Sequence, residues 1–111
     1  MKMTKKKLLD TFTNFDEYLI QDLKDTELAQ AYLQEILNEY YIDKDIDLFL
    51  HCLKPLIKSH GSVAKFAEKT GINRTYLYKI FNHKVKPEFQ TLVNILEKLG
   101  FEFTVKIKKT S

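Results

Sequence analysis

The side chains best suited to chemistry are hydrogen-bonding and basic groups that follow Asn73. Arg74 leads a predicted helix, and at about 100° per residue Thr75 and Lys79 fall on the side opposite its apolar residues. A guanidinium can donate two parallel hydrogen bonds to O6 and N7 of guanine, and hydroxyl and ammonium groups also reach base edges in the major groove. We therefore predict that Arg74, Thr75 and Lys79 contact DNA bases.

A second set of polar residues surrounds this helix and suits the DNA backbone. Phosphate contacts come from cations and hydrogen-bond donors, and they add affinity without carrying sequence information. The alternative is that a basic loop is merely solvated and that exposed tyrosines are packing residues. We assign to DNA binding, beside the three base-reading residues, Ser62, Lys65, Asn73, Tyr76, Tyr78, Asn82, His83, Lys84 and Lys86.

Two short predicted helices would position these side chains. The first spans Ser62 to Lys69 and stops at Gly71, which suits a left-handed cap, and the second starts after the N-cap Asn73. Ala67 is small where the two helices must approach each other. This pattern is typical of a helix-turn-helix, whose second helix enters the major groove with its N-terminal residues against the bases.

Further helices are predicted on both sides of this pair. Apolar residues recur at helical spacing from about 26 to 41, after the cap Asp25, and from about 45 to 59. Pro55 falls on the polar side of the latter, where its missing N–H predicts a kink or a break. A last helix is predicted to start at Pro87. The fold class is therefore all-α, a helix-turn-helix bundle with an N-terminal helical extension.

The C-terminal residues change to the two-residue period of a β-strand. Phe101, Phe103, Val105 and Ile107 alternate with polar residues. A single strand without a partner is unstable, so we predict that it pairs with the same strand of a second copy in a homodimer. Pairing with the sheet of a partner protein is the rival interpretation.

The charge of the chain is divided between its two halves. Residues 1–50 carry six Lys and eleven Asp or Glu, a net charge of −5, whereas residues 51–111 carry +8. Within 8–50 the net charge is −9. We divide the chain into an acidic helical segment (1–42) and a helix-turn-helix domain with the C-terminal strand (43–111). Such asymmetry indicates one anionic and one cationic partner, although uneven solvation of helical faces would also produce it.

Composition excludes several classes of protein. The single Cys52 cannot form an internal disulfide, and no apolar run resembles a membrane span or the core of a signal peptide, so we expect a cytoplasmic protein without a membrane partner. His51, Cys52, His60 and His83 lack the paired spacing of zinc ligands. The three scattered Gly cannot build a phosphate-binding loop. We expect no metal, no cofactor and no enzymatic activity, and we interpret Asp43, Asp45 and Asp47 as helix caps and dipole partners.

The segment from Gly61 to Val105 resembles the lambda-repressor-like (XRE-type) helix-turn-helix domains. Most of residues 15–107 resembles the HigA-type antitoxins, also described as addiction-module antidote proteins. In many such domains a Gln near the start of the first motif helix helps to clamp the DNA, but Val63 stands there in this chain, and Ser62 or Lys65 would replace it. The resemblance is carried by Phe15-Asp16, Tyr18-Leu19, Tyr32-Leu33, Gly61 to Gly71, Leu77-Tyr78-Lys79, Thr91-Leu92 and Leu99-Gly100-Phe101.

This resemblance implies a function in two parts. The protein would neutralise a cognate toxin, usually a RelE/HigB-like ribonuclease, and as a dimer on operator DNA it would repress its own operon. Because a ribonuclease binds RNA through a basic face, acidic side chains could cover that face. A stand-alone phage or chromosomal repressor and an adaptor that binds only proteins remain as alternatives. The candidate toxin-binding residues are Asp16, Glu17, Glu27, Glu35 and Glu39.

Overall fold

Six helices lie within residues 16–109, the part of the chain that the computed structural model describes. The predicted all-helical class is confirmed for these residues. Phe15, which contributes to the resemblance, and the side chain of Asp16 lie outside what is described. No helix among residues 16–109 has the length and apolar character needed to cross a membrane. The helices are α1 (Asp16–Asp22), α2 (Thr26–Asp43), α3 (Ile46–Lys58), α4 (Val63–Thr70), α5 (Arg74–Phe81) and α6 (Phe89–Lys98).

Side-chain caps fix where four of these helices begin. Asp25, Asp45, Ser62 and Asn73 precede α2, α3, α4 and α5, and each accepts a hydrogen bond from a backbone N–H of the first turn. The Oδ1 atom of Asn73, for example, accepts from the N–H of Tyr76 at 2.9 Å. These bonds satisfy donors that have no partner inside the helix. The predicted caps Asp25 and Asn73 are confirmed.

Helix α3 lies at the centre of the core. Its Leu53 and Ile57 have no exposed surface, and α1, α2, α4 and α5 all pack against it. The core extends without interruption across residue 42, so the acidic segment and the two short helices share one apolar interior. The turn after α1 and the other helices contribute to this cluster Leu23, Leu33, Ile36, Phe66, Leu77, Ile80 and Ile95.

Pro55 lies inside α3 without ending it. The helix continues to Lys58, and the N–H of Ser59 donates to the carbonyl oxygen of Pro55 at 2.9 Å. The predicted break is therefore absent. The placement of Pro55 on a polar side was also wrong, since the residue is buried. Four helices pack around α3, so even its less apolar side is covered, and the hydrocarbon ring of proline suits that environment.

Two predictions for the C-terminal part need correction. Helix α6 begins at Phe89 after the N-cap Glu88, two residues later than the predicted start at Pro87. Residues 101–109 do not form a strand. The physical reason is that a β-strand is defined by hydrogen bonds to a neighbouring strand, and the described part of the chain holds no second strand. The predicted pairing with another copy stays a prediction.

The turn between α4 and α5 depends on Gly71. Its φ is +79°, in the left-handed region, and its N–H donates to the carbonyl oxygen of Ala67 at 2.9 Å. A Cβ atom at this position would meet no heavy atom within 4 Å. Backbone strain alone therefore opposes a side chain here, and the predicted left-handed cap is confirmed.

We predict that Gly71→Ala lowers the free energy of unfolding by about 1–2 kcal/mol, because alanine is strained at positive φ. Gly71→Asn is the matched variant, since asparagine tolerates this conformation, and it should lose less stability than alanine. Urea unfolding of both variants measures the difference. An alanine variant as stable as the original chain would contradict this account of the turn.

Candidate nucleic-acid interface

Helix α5 turns one side to the core and the other to solvent. Leu77 and Ile80 are 0% exposed, so their packing fixes the rotation of the helix about its axis. Arg74, Thr75 and Lys79 are all exposed. Turning them inward would bring the two buried side chains into water, at a cost of about 1.5–3 kcal/mol for each. The three predicted base-reading residues thus share the solvent side of α5.

The two tyrosines of α5 differ in environment. Tyr78 is 42% exposed and remains available to a ligand. Tyr76 is half-buried and packs against the core, and its backbone N–H is engaged by Asn73. The packing interpretation therefore applies in part to Tyr76. Capping occupies Oδ1 of Asn73, which leaves the Nδ2 amide group as a hydrogen-bond donor.

The start of α4 presents two of the predicted DNA-contacting residues. The N–H of Lys65 donates to Oγ of Ser62 at 3.0 Å, and the Lys65 side chain is exposed. Val63 is 4% exposed and belongs to the core. Because Val63 packs inward, Ser62 and Lys65 are the polar groups that this end of α4 offers at the surface.

The loop after α5 places His83 beside an acidic side chain of α3. His83 has a φ of +59°, and its Nδ1 lies 3.2 Å from Oδ1 of Asp47. Asn82, Lys84 and Lys86 are exposed. Sequence reasoning gave Asp47 no role in the interface, because its position before the predicted helix indicates a helix-dipole partner. Only the packing of α5 against α3 brings Asp47 to His83.

A groove lined by both polar and apolar side chains, with Glu97 among them, lies between the start of α5 and helix α6. Asn73 and Tyr76 line one wall, and Gln90, Thr91 and Asn94 line the other. Sequence reasoning gave Gln90 and Asn94 no role. The signal that could have found them is their spacing of four residues, which places two amide side chains on one face of the helix.

The acidic residues predicted to bind a toxin lie on α1 and α2. Glu17, Glu27 and Glu35 are exposed, and Glu39 is half-buried. From Glu27 to Glu39 the helix advances about 18 Å. The acids of α2 therefore form an extended surface rather than one pocket, and the side chain of Asp16 lies outside the described residues.

Cys52 and His60 have the surroundings of packed residues. Burial raises the pKa of the Cys52 thiol to about 12, and the negative charge of Asp43 adds to the shift. Burial, and then the charge of Lys69, lowers the pKa of His60, whose ring packs against Phe66 with centroids 5.7 Å apart. Among residues 16–109 no three His, Cys, Asp or Glu side chains gather as metal ligands do.

Comparisons with known proteins place the chain in a family. The family model described as "Probable addiction module antidote protein" matches residues 11–107. A relative from Haemophilus influenzae, described only as an uncharacterized protein, is 29% identical over 98 residues, which cover 88% of this chain and 94% of the relative. No solved structure matches the chain.

We predict that Cys52 reacts with a disulfide reagent at pH 7.5 at least about 100-fold more slowly in the native chain than after unfolding, because the reactive thiolate is absent at a raised pKa. Thr75→Cys supplies the matched control, since a thiol on the solvent side of α5 should react at the rate of an unfolded cysteine. Ellman's reagent measures both rates. Protection of the new thiol would show that the solvent side of α5 is covered.

Proposed function

Since the chain belongs to the family of probable addiction module antidote proteins, we propose that it is an antitoxin that also represses the operon encoding it. Membership in this family implies a toxin partner. In the proposal α4 and α5 form a lambda-repressor-like helix-turn-helix that binds operator DNA. The acidic N-terminal part neutralises a RelE/HigB-like ribonuclease. Neither role needs a cofactor, a metal or catalysis.

The single observation that carries DNA binding is the exposed row of Arg74, Thr75 and Lys79 over the buried inner side of α5. An α-helix with its side chains is about 10–12 Å in diameter, and the major groove of B-DNA is about 12 Å wide. The leading end of α5 therefore enters the groove with Arg74 towards the bases. A helix N-terminus also carries partial positive charge, which favours phosphate.

The groups around α5 include cations and hydrogen-bond donors that can bind the two DNA backbones on either side of the groove. The loop with Lys84 and Lys86 follows the C-terminal end of α5, and Ser62 and Lys65 lie at the start of α4. His83 belongs to the same loop and lies against Asp47 of α3, with Nδ1 3.2 Å from Oδ1. In the proposal these groups supply the affinity that depends on salt, and the residues of α5 supply the preference for sequence.

Toxin binding rests on the family match and on the separation of charge. The acidic side chains of α2 and the cations of α5 lie on different helices, so one chain can offer an anionic surface to a protein and a cationic surface to DNA. A ribonuclease must attract RNA, so its RNA-binding face is basic and complementary to α2. Repression as a homodimer would place two copies of α5 about 34 Å apart on the operator.

We predict that Arg74→Ala weakens binding to the DNA upstream of the gene by about 1–3 kcal/mol and relaxes the preference at one base pair. Lys84→Ala should weaken all sequences alike and reduce the slope of log affinity against log salt by about one unit. Lys24→Ala is the matched control, because this cation lies in the turn between α1 and α2. Fluorescence anisotropy in a salt series measures all three variants.

Two outcomes would contradict the DNA-binding proposal. A response to salt that is flat would favour the protein-binding adaptor, because DNA binding releases counterions. An unchanged sequence preference in Arg74→Ala would show that another residue reads the bases.

We predict that the double charge reversal Glu35→Lys with Glu39→Lys weakens binding to the product of the neighbouring toxin gene at least about tenfold, with a larger effect at low salt. The matched control is Glu68→Lys with Glu97→Lys, which makes the same charge change on α4 and α6. Inhibition of toxin ribonuclease activity and calorimetry provide the readout. The stand-alone repressor alternative requires instead that no neighbouring product binds.

A further inference from the structure

The segment after α6 is anchored at its start, and farther along it Lys108 Nζ lies 5.7 Å from the ring centroid of Tyr41. The N–H of Phe101 donates to the carbonyl oxygen of Leu96 at 2.9 Å, and the ring of Phe103 stacks on Phe89 with centroids 6.3 Å apart. Beyond these contacts the apolar row continues into solvent, since Val105 and Ile107 are 98% and 94% exposed. Exposure this complete is unusual for two β-branched residues that continue an anchored row.

The backbone of the same segment is also unpaired. Among the described residues, no backbone hydrogen bond joins 102–109 to another segment. A segment whose sequence alternates apolar and polar residues, and whose N–H and C=O groups have no backbone partner among the described residues, can form one half of a β-ladder. The segment therefore has both the hydrogen-bonding edge and the apolar row that a second strand would complete.

A groove of suitable character runs beside this edge. Leu33 and Leu37 of α2 and Leu96 of α6 line it together with residues 100–104 and Lys106, and Thr26, Glu27, Gln30 and Gln34 add polar groups on the α2 side. The leucines suit the apolar side chains of an added strand, and the carboxylate of Glu27 suits its cations. The segment itself carries Lys106 and Lys108, so a second copy of it has the chemistry that the groove requires.

We propose that a second copy of this chain fills the groove by antiparallel pairing in which Thr104 lies opposite the partner's Thr104. The inference rests on the dimer of the proposed function and specifies its register. In this register Val105 and Ile107 lie opposite the partner's Phe103 and the partner's Phe101, so the free half of each row covers the anchored half of the other. The two-fold axis repeats every contact.

The apolar row and the charges together select this register over its neighbours. With Thr104 on the axis, Glu102 lies opposite the partner's Lys106, and symmetry forms the pair twice. A shift that puts Val105 on the axis still sets Glu102 opposite the partner's Lys108, but it leaves Phe101 against the partner's Lys109. A shift to Phe103 leaves Glu102 opposite the partner's Thr104. When the two strands are displaced by one residue, so that the axis falls between two positions, apolar residues lie opposite polar ones. The register on Thr104 alone joins both apolar pairs and both opposite charges.

The first test measures the dimer dissociation constant of the full chain by sedimentation equilibrium without DNA. Glu102→Lys and Lys106→Glu should each raise this constant at least about tenfold, since each variant sets like charges opposite each other twice. The double variant E102K/K106E restores opposite charges and should return to within about threefold of the original chain. Glu97→Lys and Lys98→Glu, the same charge changes on α6, should leave the constant unchanged.

The second test locates the two-fold axis by disulfide formation. Residues directly opposite in an antiparallel pair have Cβ atoms about 4.5–5.5 Å apart, near the reach of a disulfide, and residues two positions away do not. Thr104→Cys should therefore form a covalent dimer in oxidised glutathione, and Phe103→Cys and Val105→Cys should not. Cys52 is buried and does not compete.

The outcomes separate this inference from the proposed function. A chain that stays monomeric overturns the inference, and so does a dimer that ignores the charge reversals or cross-links best at another position. The salt series on DNA, run on the same variants, reports the function independently. A monomer that still binds DNA would contradict the dimer alone, and a dimer of the stated register that binds no DNA would contradict the function alone.

Discussion

Burial of Leu77 and Ile80 against the central helix α3 is the constraint on which the proposed interface depends. An eight-residue helix has too little intrinsic stability to hold its own orientation in water. Two fully buried side chains fix it instead. The Asn73 cap and the left-handed Gly71 set where α5 starts and how it leaves α4. Core packing thus determines which side chains of α5 face solvent. Arg74 and Lys79 are exposed because Leu77 and Ile80 are buried on the other side of the helix.

The same core lets one small chain carry two opposite surfaces. Helices α2 and α5 both pack on α3, so the acidic side chains of α2 and the cations of α5 are held at fixed places. The C-terminal segment lies against α2 and α6, and its pairing with a second copy would cover Glu27. In that assembly Glu35 and Glu39 would remain as the proposed acidic surface for a toxin, and dimer formation and toxin binding would use different parts of α2.

Sequence reasoning predicted the features that depend on local chemistry. Asp25, Asn73 and Gly71 act on backbone groups within one turn, so residue type is enough to place them. It failed where distant packing decides. Pro55 is buried because helices surround α3, and Asp47 meets His83 only after α5 packs against α3. The apolar residues from Phe101 to Ile107 do recur every second position, as in a strand. A strand also needs a partner strand, which the described residues do not contain.

The most direct measurement of the central claim is a titration of the isotope-labelled chain with the DNA upstream of its gene, followed by amide chemical shifts. The account predicts that the perturbed amides lie in residues 73–86 and at the start of α4, whereas Leu33 and Ile36 of α2 keep their shifts. Perturbations on α2 with none on α5, or no perturbation at stoichiometric DNA, would contradict it.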